Sequence, residues 1–339
     1  MINPKVSIII VHKDGEEILN NCINSLKKTN YPNFEIVVLL NSTKDNSKEI
    51  LKKHKIKFYE SRKNLGFAGG NNYLINKTKS KYLALINNDT EVEKNWLKEL
   101  VDFAEKNNAD ALQPKIKSLN KKSSFEYAGA AGGFIDKYGY PFCRGRIFNT
   151  VEKDAGQYNS PMRIFWASGA CILIKREILK KTGLFDEDFF MYSEELDLCW
   201  RINLAGGKIF NAPKSVIYHL GSYSIKREKV NFNKELLIHR NAFITFLKNY
   251  SKKSIIKMIV PRLFLEIIGG IAFPKRLKPI LSSFWWIIKN RNQISKKNLE
   301  IQKMRVLTDD EISKLMLKKS IALAYFIKKI KTFKELKIG

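Results

Sequence analysis

Long apolar runs, paired cysteines, common phosphate-loop signatures and acidic residues are what this 339-residue chain has least of. The four cysteines, Cys22, Cys143, Cys171 and Cys199, are scattered and form no CxxC pair. With no signal-peptide pattern over Met1 to Val11, they imply a reducing, cytoplasmic setting. The most apolar stretch, Ile255 to Phe273, is interrupted by Lys257, Arg262 and Glu266, and Ile280 to Ile288 is too short to span a bilayer. Neither a Walker A sequence nor GxGxxG occurs, and no RNA- or DNA-binding motif is present. Acids are outnumbered throughout: the net charge is +28, and Tyr250 to Gly339 holds 21 Lys and Arg against 6 acids, a local +15. More than half of the excess charge therefore lies in the last quarter of the chain. Such a tail fits an anionic membrane surface, nucleic acid or a solvated lysine-rich face. Its aromatics, including Trp285 and Trp286, cluster with aliphatics rather than spacing along a polar groove. That pattern favours helices lying in a membrane interface over nucleic-acid binding, with an amphipathic cap packed on protein as the other reading.

What the chain does have is alternation. Val6 to Val11 is a continuous β-branched run of the kind found in buried parallel strands, and Gly15 to Lys28 follows with Ile18, Leu19, Cys22 and Leu26 at helical spacing. The unit repeats with strands at Phe34 to Leu40, Ile56 to Tyr59, Tyr82 to Ile86 and Ala109 to Ile116, and helices at Asp45 to His54, Gly70 to Lys79 and Lys94 to Lys106. This predicts an α/β fold, an open and mostly parallel sheet with helices on both faces and ligands at the carboxyl ends of the strands. Ser118 to Ser160 reads as a hairpin excursion, and Phe165 to Ile174 as a return to strand. The length exceeds the usual single-core range of roughly 250 to 300 residues. The expected plan is a catalytic-type domain over 1–225 and a basic helical region over 226–339.

Polar residues collect where the strands end. His12, Lys13 and Asp14 follow the first strand, Asn41 to Ser47 the second, Arg62 to Asn72 the third, and Asn87 to Glu91 the fourth. Gly66, Gly69 and Gly70 beside a helix start would let backbone amides approach a phosphate, although an ordinary tight strand-to-helix connection is the favoured explanation. Asp89 sits among oxygen donors that suit Mg²⁺ or Mn²⁺, and His219 ends an apolar strand just before a glycine; a turn aspartate and a packed histidine are the plainer readings. Trp166 either stacks on a sugar or belongs to the core. In Gly183 to Arg201, Ser193 is placed to cap a helix that Gly206 and Gly207 stop. Glu194, Asp197 and Arg201 fall on one face as a salt-bridge stripe, and Glu195 stands off it. A carboxylate in a first helical turn stays ionised beside partly positive amides, which suits a base, while helix-terminal preference alone also accounts for both glutamates.

The order of these pieces resembles the family 2 glycosyltransferases of the GT-A fold, most of all rhamnosyltransferase-like members. The residues that carry the resemblance are Asn41 to Ser47, Asn64 to Asn72, Asn87 to Thr90, Ser168 to Ala170, Phe185 to Glu187, Phe190 to Tyr192, Glu194 to Cys199, and Tyr218 with His219. It spans about residues 5 to 225, and His239 to Ala242 with Lys248 and Asn249 resembles the segment that follows the catalytic domain in these enzymes. The resemblance implies Glu195 as catalytic base, in a position usually held by aspartate, and Asp89 with His219 as ligands of a divalent metal, Mg²⁺ or Mn²⁺. It further implies a nucleotide-sugar donor held by Val11, His12, Asn41, Asn64, Gly66, Gly70, Asn71, Asn87 and Asn88, and acceptor contacts from Trp166, Asp186 and Glu194. Departures are Leu40 where relatives carry an aspartate associated with the nucleotide base, His12 to Asp14 at the first strand end, and Asn87 at the first acid of the DxD-type motif.

The expected activity is inverting transfer of a sugar, rhamnose-like for preference, to a saccharide or lipid-linked acceptor in cell-surface polysaccharide synthesis. The expected location is cytoplasmic, peripheral on the inner face of the cell membrane, with no nucleic-acid partner and the oligomeric state open. The competing readings are another donor, such as a galactofuranosyl or hexosamine nucleotide, and a noncatalytic binding protein with a decayed donor site.

Overall fold

The computed structural model describes residues 3–221 and 234–338. The expected boundary at 225 lies outside them. Strands β1 (Val6–His12), β2 (Phe34–Asn41), β3 (Lys57–Ser61) and β4 (Tyr82–Ile86) alternate with helices α1 (Glu16–Leu26), α2 (Ser47–Lys53) and α3 (Gly66–Asn76). After the short β5 (Thr90–Val92) come α4 (Trp96–Asn107) and β6 (Ala111–Ser118). Four short strands follow, β7 (Gly133–Ile135), β8 (Pro141–Cys143), β9 (Arg146–Ile147) and β10 (Thr150–Val151), then β11 (Met162–Arg163) and β12 (Cys171–Lys175). The catalytic-type region closes with α5 (Arg176–Thr182), α6 (Glu194–Leu204) and β13 (Ile209–His219).

The main sheet has nine strands in the order β11-β13-β6-β12-β4-β1-β2-β3, with β5 on β13. β1 to β4 run parallel, as the buried runs predicted, and β13 is parallel to β6. β12 is antiparallel to both β4 and β6. That reversal was not legible, because Ala170 to Ile174 is as apolar as its parallel neighbours. The loosened stretch after Ser118 forms its own four-stranded meander, β10-β9-β8-β7. The alternation along β1 assigns two cores: Ile8 and Ile10 face Leu19, Cys22 and Leu26 of α1, while Ile9 faces Ala68, Leu74 and Ile75 of α3.

The tail packs back onto this body. Its helices Lys234–Asn249, Lys252–Ala272, Leu277–Lys289 and Arg291–Met304 are followed by a segment whose Phe333 ring lies 4.9 Å from Phe134 on β7, and Leu317 bridges to Asp136. Phe246, Tyr250, Ile301 and Phe333 share one buried cluster with α3, α6 and the small sheet. Asp197 of α6 is fully buried and receives Lys248 at 3.1 Å, the Asn249 amide at 2.9 Å and Arg201 at 3.0 Å. The self-contained stripe expected on α6 is thus corrected. Asp197 and Arg201 do pair, but Asp197 anchors the tail and Glu194 stands apart.

Candidate active site

A network of neutral and charged hydrogen bonds forms the floor at the ends of β1, β2 and β4. His12 continues the row Ile8–Ile10 and is fully buried; its Nδ1 accepts from Asn88 Nδ2 at 2.8 Å and its Nε2 meets Ser47 Oγ at 2.7 Å. Ser47 Oγ donates to Asp45 at 2.5 Å, and Asp45 also accepts from the Gly15 and Glu16 amides at the start of α1. Burial pulls the His12 pKa down to about 4 against the opposing pull of Asp45 and Asp14, so the ring is neutral near pH 7. With both nitrogens engaged and no exposed edge, His12 organises the floor instead of touching a ligand. Leu40, the β2 register partner of His12, is buried in the same core row.

Asn41 is equally occupied. Its amide donates to Asn64 Oδ1 and to the Gly66 carbonyl, and its carbonyl accepts from the Leu65 amide. Asn64 Oδ1 takes the Gly66 amide, and the Phe67 and Ala68 amides both reach the Phe190 carbonyl. The first-turn amides of α3 are therefore already bonded, which corrects the phosphate cradle expected of this loop. The glycines serve close packing: a Cβ on Gly66 would lie 2.4 Å from the Phe190 carbonyl oxygen, and one on Gly70 would lie 2.7 Å from Val11. Asn71 donates within its own helix to the Phe67 carbonyl, while Asn72 bridges to Phe185 and Glu187.

Asp89 and His219 come together although 130 residues separate them, because β5 pairs with β13 and sets Thr90 opposite His219. His219 Nε2 is 3.1 Å from Asp89 Oδ1 and 3.2 Å from Asn87 Nδ2. Glu126 Oε2 approaches Nδ1 to 3.3 Å without an aligned hydrogen bond. Burial alone would lower the imidazole pKa, but the carboxylates of Asp89 and Glu126 outweigh it and push it up to about 10. The ring is therefore protonated near pH 7 without a cation; a cation that displaced the Nε2 proton would find in the Asp89 carboxylate and the neutral imidazole a donor set that suits Mg²⁺ or Mn²⁺. Glu126 was missed in the sequence, since it lies in a stretch without periodicity.

Glu194 and Glu195 open α6, and one carboxylate oxygen of each has no hydrogen-bond partner. Burial, then the neighbouring Glu195 charge, holds Glu194 well above the usual glutamate range. Burial also raises Glu195, although the amides of Glu195, Gly169 and Leu196 oppose it. Desolvation outweighs these amides, so the first helical turn does not by itself set the direction of the Glu195 shift. The Gly169 amide reaches Glu195, and the Ala170 carbonyl accepts from the Asn87 amide at 3.1 Å. Residues 169–170 thus join the base candidate to the loop that carries Asp89.

The backbone before α6 is strained. Phe190, Tyr192 and Ser193 all have positive φ, at 61°, 71° and 67°, and Ser193 makes no side-chain cap. Asn241 of the first tail helix holds this turn by donating to the Phe189, Met191 and Tyr192 carbonyls at 3.0, 2.8 and 2.8 Å, and Arg240 donates to Asp188. Arg240 and Asn241 were flagged in the sequence only by resemblance and carried no role there.

Two acceptor candidates are corrected. Trp166 is buried, its indole N–H donates to the Phe134 carbonyl at 2.9 Å, and Gly133 lies flat on its ring, so no face is open for a sugar. Asp186 has its two oxygens at 2.5 Å from Lys248 and Lys297, which fastens the tail.

This sheet, with a carboxylate–imidazole pair at one strand end and an acid pair across the 168–170 segment, is a GT-A glycosyltransferase scaffold. The chain belongs to glycosyl transferase family 2, whose profile matches residues 7–183. It is 26% identical over 234 residues to the O-antigen biosynthesis protein RfbC of Myxococcus xanthus, covering 67% of this chain and 18% of that protein. To the rhamnosyltransferase WbbL of Escherichia coli it is 22% identical over 249 residues, covering 71% of this chain and 92% of that one. The chain thus spans only a small part of the first relative and nearly all of the second. The mannosyltransferase PcManGT of Pyrobaculum calidifontis, solved with GDP-Man and Mn²⁺, superposes with a TM-score of 0.53 at 10% identity, over 90% of this chain and 86% of that one, and shows the shared fold.

Proposed function

We propose that the chain is a metal-assisted, inverting sugar transferase of cell-surface polysaccharide synthesis, with a rhamnose-like nucleoside-diphosphate donor and a lipid-linked saccharide acceptor. It works at the inner face of the cell membrane through its basic C-terminal region. The observation that carries this reading is the unmatched Glu195 carboxylate, linked through Gly169 and Ala170 to the loop of Asp89 and His219. Similarity to WbbL supports the donor class.

Asp89 and His219, 3.1 Å apart, would hold a divalent cation, Mg²⁺ or Mn²⁺. When bound, that ion would offset charge developing on the departing diphosphate. Glu195 Oε2 accepts the proton of the acceptor hydroxyl while that oxygen bonds to the anomeric carbon. The bond from the anomeric carbon to the diphosphate oxygen breaks on the opposite side, so one displacement inverts the centre. The amides of Glu195, Gly169 and Leu196 favour the ionised form of Glu195, the form a base needs.

The test is nucleoside-diphosphate release from uridine, thymidine and guanosine sugars, with Mn²⁺ or Mg²⁺ and membrane lipid extract, for wild type and Glu195→Gln. Metal-dependent turnover of one donor that is lost in the variant is the expected result. A donor sugar other than rhamnose would revise the donor class alone. Absence of any nucleotide-sugar binding would favour a noncatalytic binding protein.

A further inference from the structure

Two tail helices present a surface that the other described residues leave uncovered. On Lys252–Ala272, Ile256 (76% exposed), Val260 (70%), Phe264 (62%), Ile267, Ile268 and Ile271 all face solvent. At 100° per residue they fall within an arc of about 120°, one continuous apolar stripe. The roll of this helix is fixed from its other side. Arg262 is fully buried, 2.9 Å from Glu266, with its guanidinium 3.6 Å from the centroid of the Tyr140 ring. An ion pair is thus turned inward and the large aliphatics outward, the reverse of a water-facing amphipathic helix. On Leu277–Lys289, which packs against its neighbour, Leu281, Trp285 (70%) and Ile288 continue the apolar face while Ile280, Ser283 and Ile287 are buried.

Charge decides what covers this face. Between Ser251 and Asn290 there are eight Lys and Arg and one acid, Glu266, which is buried and paired. Lys253, Lys257, Lys275, Arg276, Lys278 and Lys289 are exposed around the stripe. A second copy would bring the same cations against these and supply no exposed acid from this segment. An anionic lipid surface supplies both an acyl boundary for the stripe and phosphates for the lysines. Among the described residues no helix is long and apolar enough to cross a membrane.

We propose that the helices Lys252–Ala272 and Leu277–Lys289 lie flat on an anionic phospholipid bilayer, with Ile256, Val260, Phe264 and Trp285 inserted and the flanking lysines on headgroup phosphates. This rests on the placement of the enzyme at a membrane surface, but its test needs no turnover. The full chain is mixed with phosphatidylcholine vesicles with and without phosphatidylglycerol, and sedimentation and tryptophan emission are followed. Binding to the anionic vesicles, weakening with added salt, and a blue shift from Trp285 are expected. The double variant Val260→Ser, Phe264→Ser and the single variant Trp285→Ser should each lower the partition constant about tenfold or more, with an unchanged melting temperature because these side chains face solvent. Equal binding of wild type and variants, or no binding to anionic vesicles, overturns the proposal. So does a concentration-dependent dimer, without vesicle binding, that the same substitutions dissociate, since it assigns the face to a second copy. A chain that transfers sugar to a soluble acceptor yet ignores vesicles fails here and leaves the transferase reading standing. Vesicle binding with no turnover of any donor does the opposite.

Discussion

The floor under β1, β2 and β4 and the acid pair at the start of α6 handle polar groups in opposite ways. Below, His12, Ser47, Asp45, Asn88, Asn41 and Asn64 each engage a neighbour, so the ends of four strands, β1 to β4, are tied together. Above, Glu194 and Glu195 each keep a buried carboxylate oxygen without a partner. Leaving such an atom unmatched costs free energy, and folds tolerate it mainly where chemistry needs a group that can still change partners. The contrast separates residues that hold geometry from the one proposed to act. His12 and Asn41, implied as ligand contacts, fall in the first set and Glu195 in the second.

Substitutions can break that contrast. Glu195→Gln keeps the shape and removes the proton acceptor, so turnover should fall by about 10² to 10⁴-fold while the melting temperature holds or rises; a rate within threefold of wild type, by about half a kcal/mol, would remove Glu195 from the base role. Asp89→Asn should lower turnover by roughly 10²-fold and weaken Mn²⁺ binding, read by calorimetry with the donor present. Asn241→Ala leaves three carbonyls of the strained turn without their donor and should cost about 1–3 kcal/mol of stability, with kcat falling more than donor KM changes. If kcat is untouched, the tail is only a brace.

Two pH measurements sharpen the comparison at smaller amplitude. Burial raises Glu195, and a base works when ionised, so kcat/KM should climb with pH along a limb above the usual glutamate range. Burial also opposes ionisation of Asp186, but Lys248 and Lys297 outweigh it and hold this carboxyl down from 3.8 to about 2. A depressed carboxyl contributes stability that is complete above its ordinary value and lost as pH falls through the folded one. Melting temperature should therefore drop between pH 3.8 and about 2, and Asp186→Asn should flatten that part of the curve.

The parallel half of the sheet was legible because β1, β2 and β4 are mostly apolar runs and β4 appears at its predicted limits, Tyr82 to Ile86. Asp89 and His219 were legible because each ends an apolar strand beside a turn, and the short β5 ladder to β13 brings them together. β12 was hidden since strand direction leaves no mark on a fully buried run. Glycines 66 and 70 were read as ligand contacts because a glycine's freedom looks alike whether it faces a phosphate or a neighbouring side chain. Glu126 and Asn241 escaped because each acts across more than 45 residues of intervening chain. The apolar stripe of the second tail helix was visible as composition, but which way it rolls depends on Arg262 and Tyr140.

Asp186 and Asp197 have a consequence for how this protein can be divided or recombined. Both are buried carboxylates whose cations, Lys248 and Lys297, come from the far side of the expected boundary. Cutting the gene after codon 225 would take both lysines from Asp186 and leave Asp197 with Arg201 alone, in an interior that also loses Phe246, Tyr250 and Phe333. Exchanging this tail for another would succeed only if the incoming segment carried matching cations, so the two parts are bound to change together as a single inherited unit.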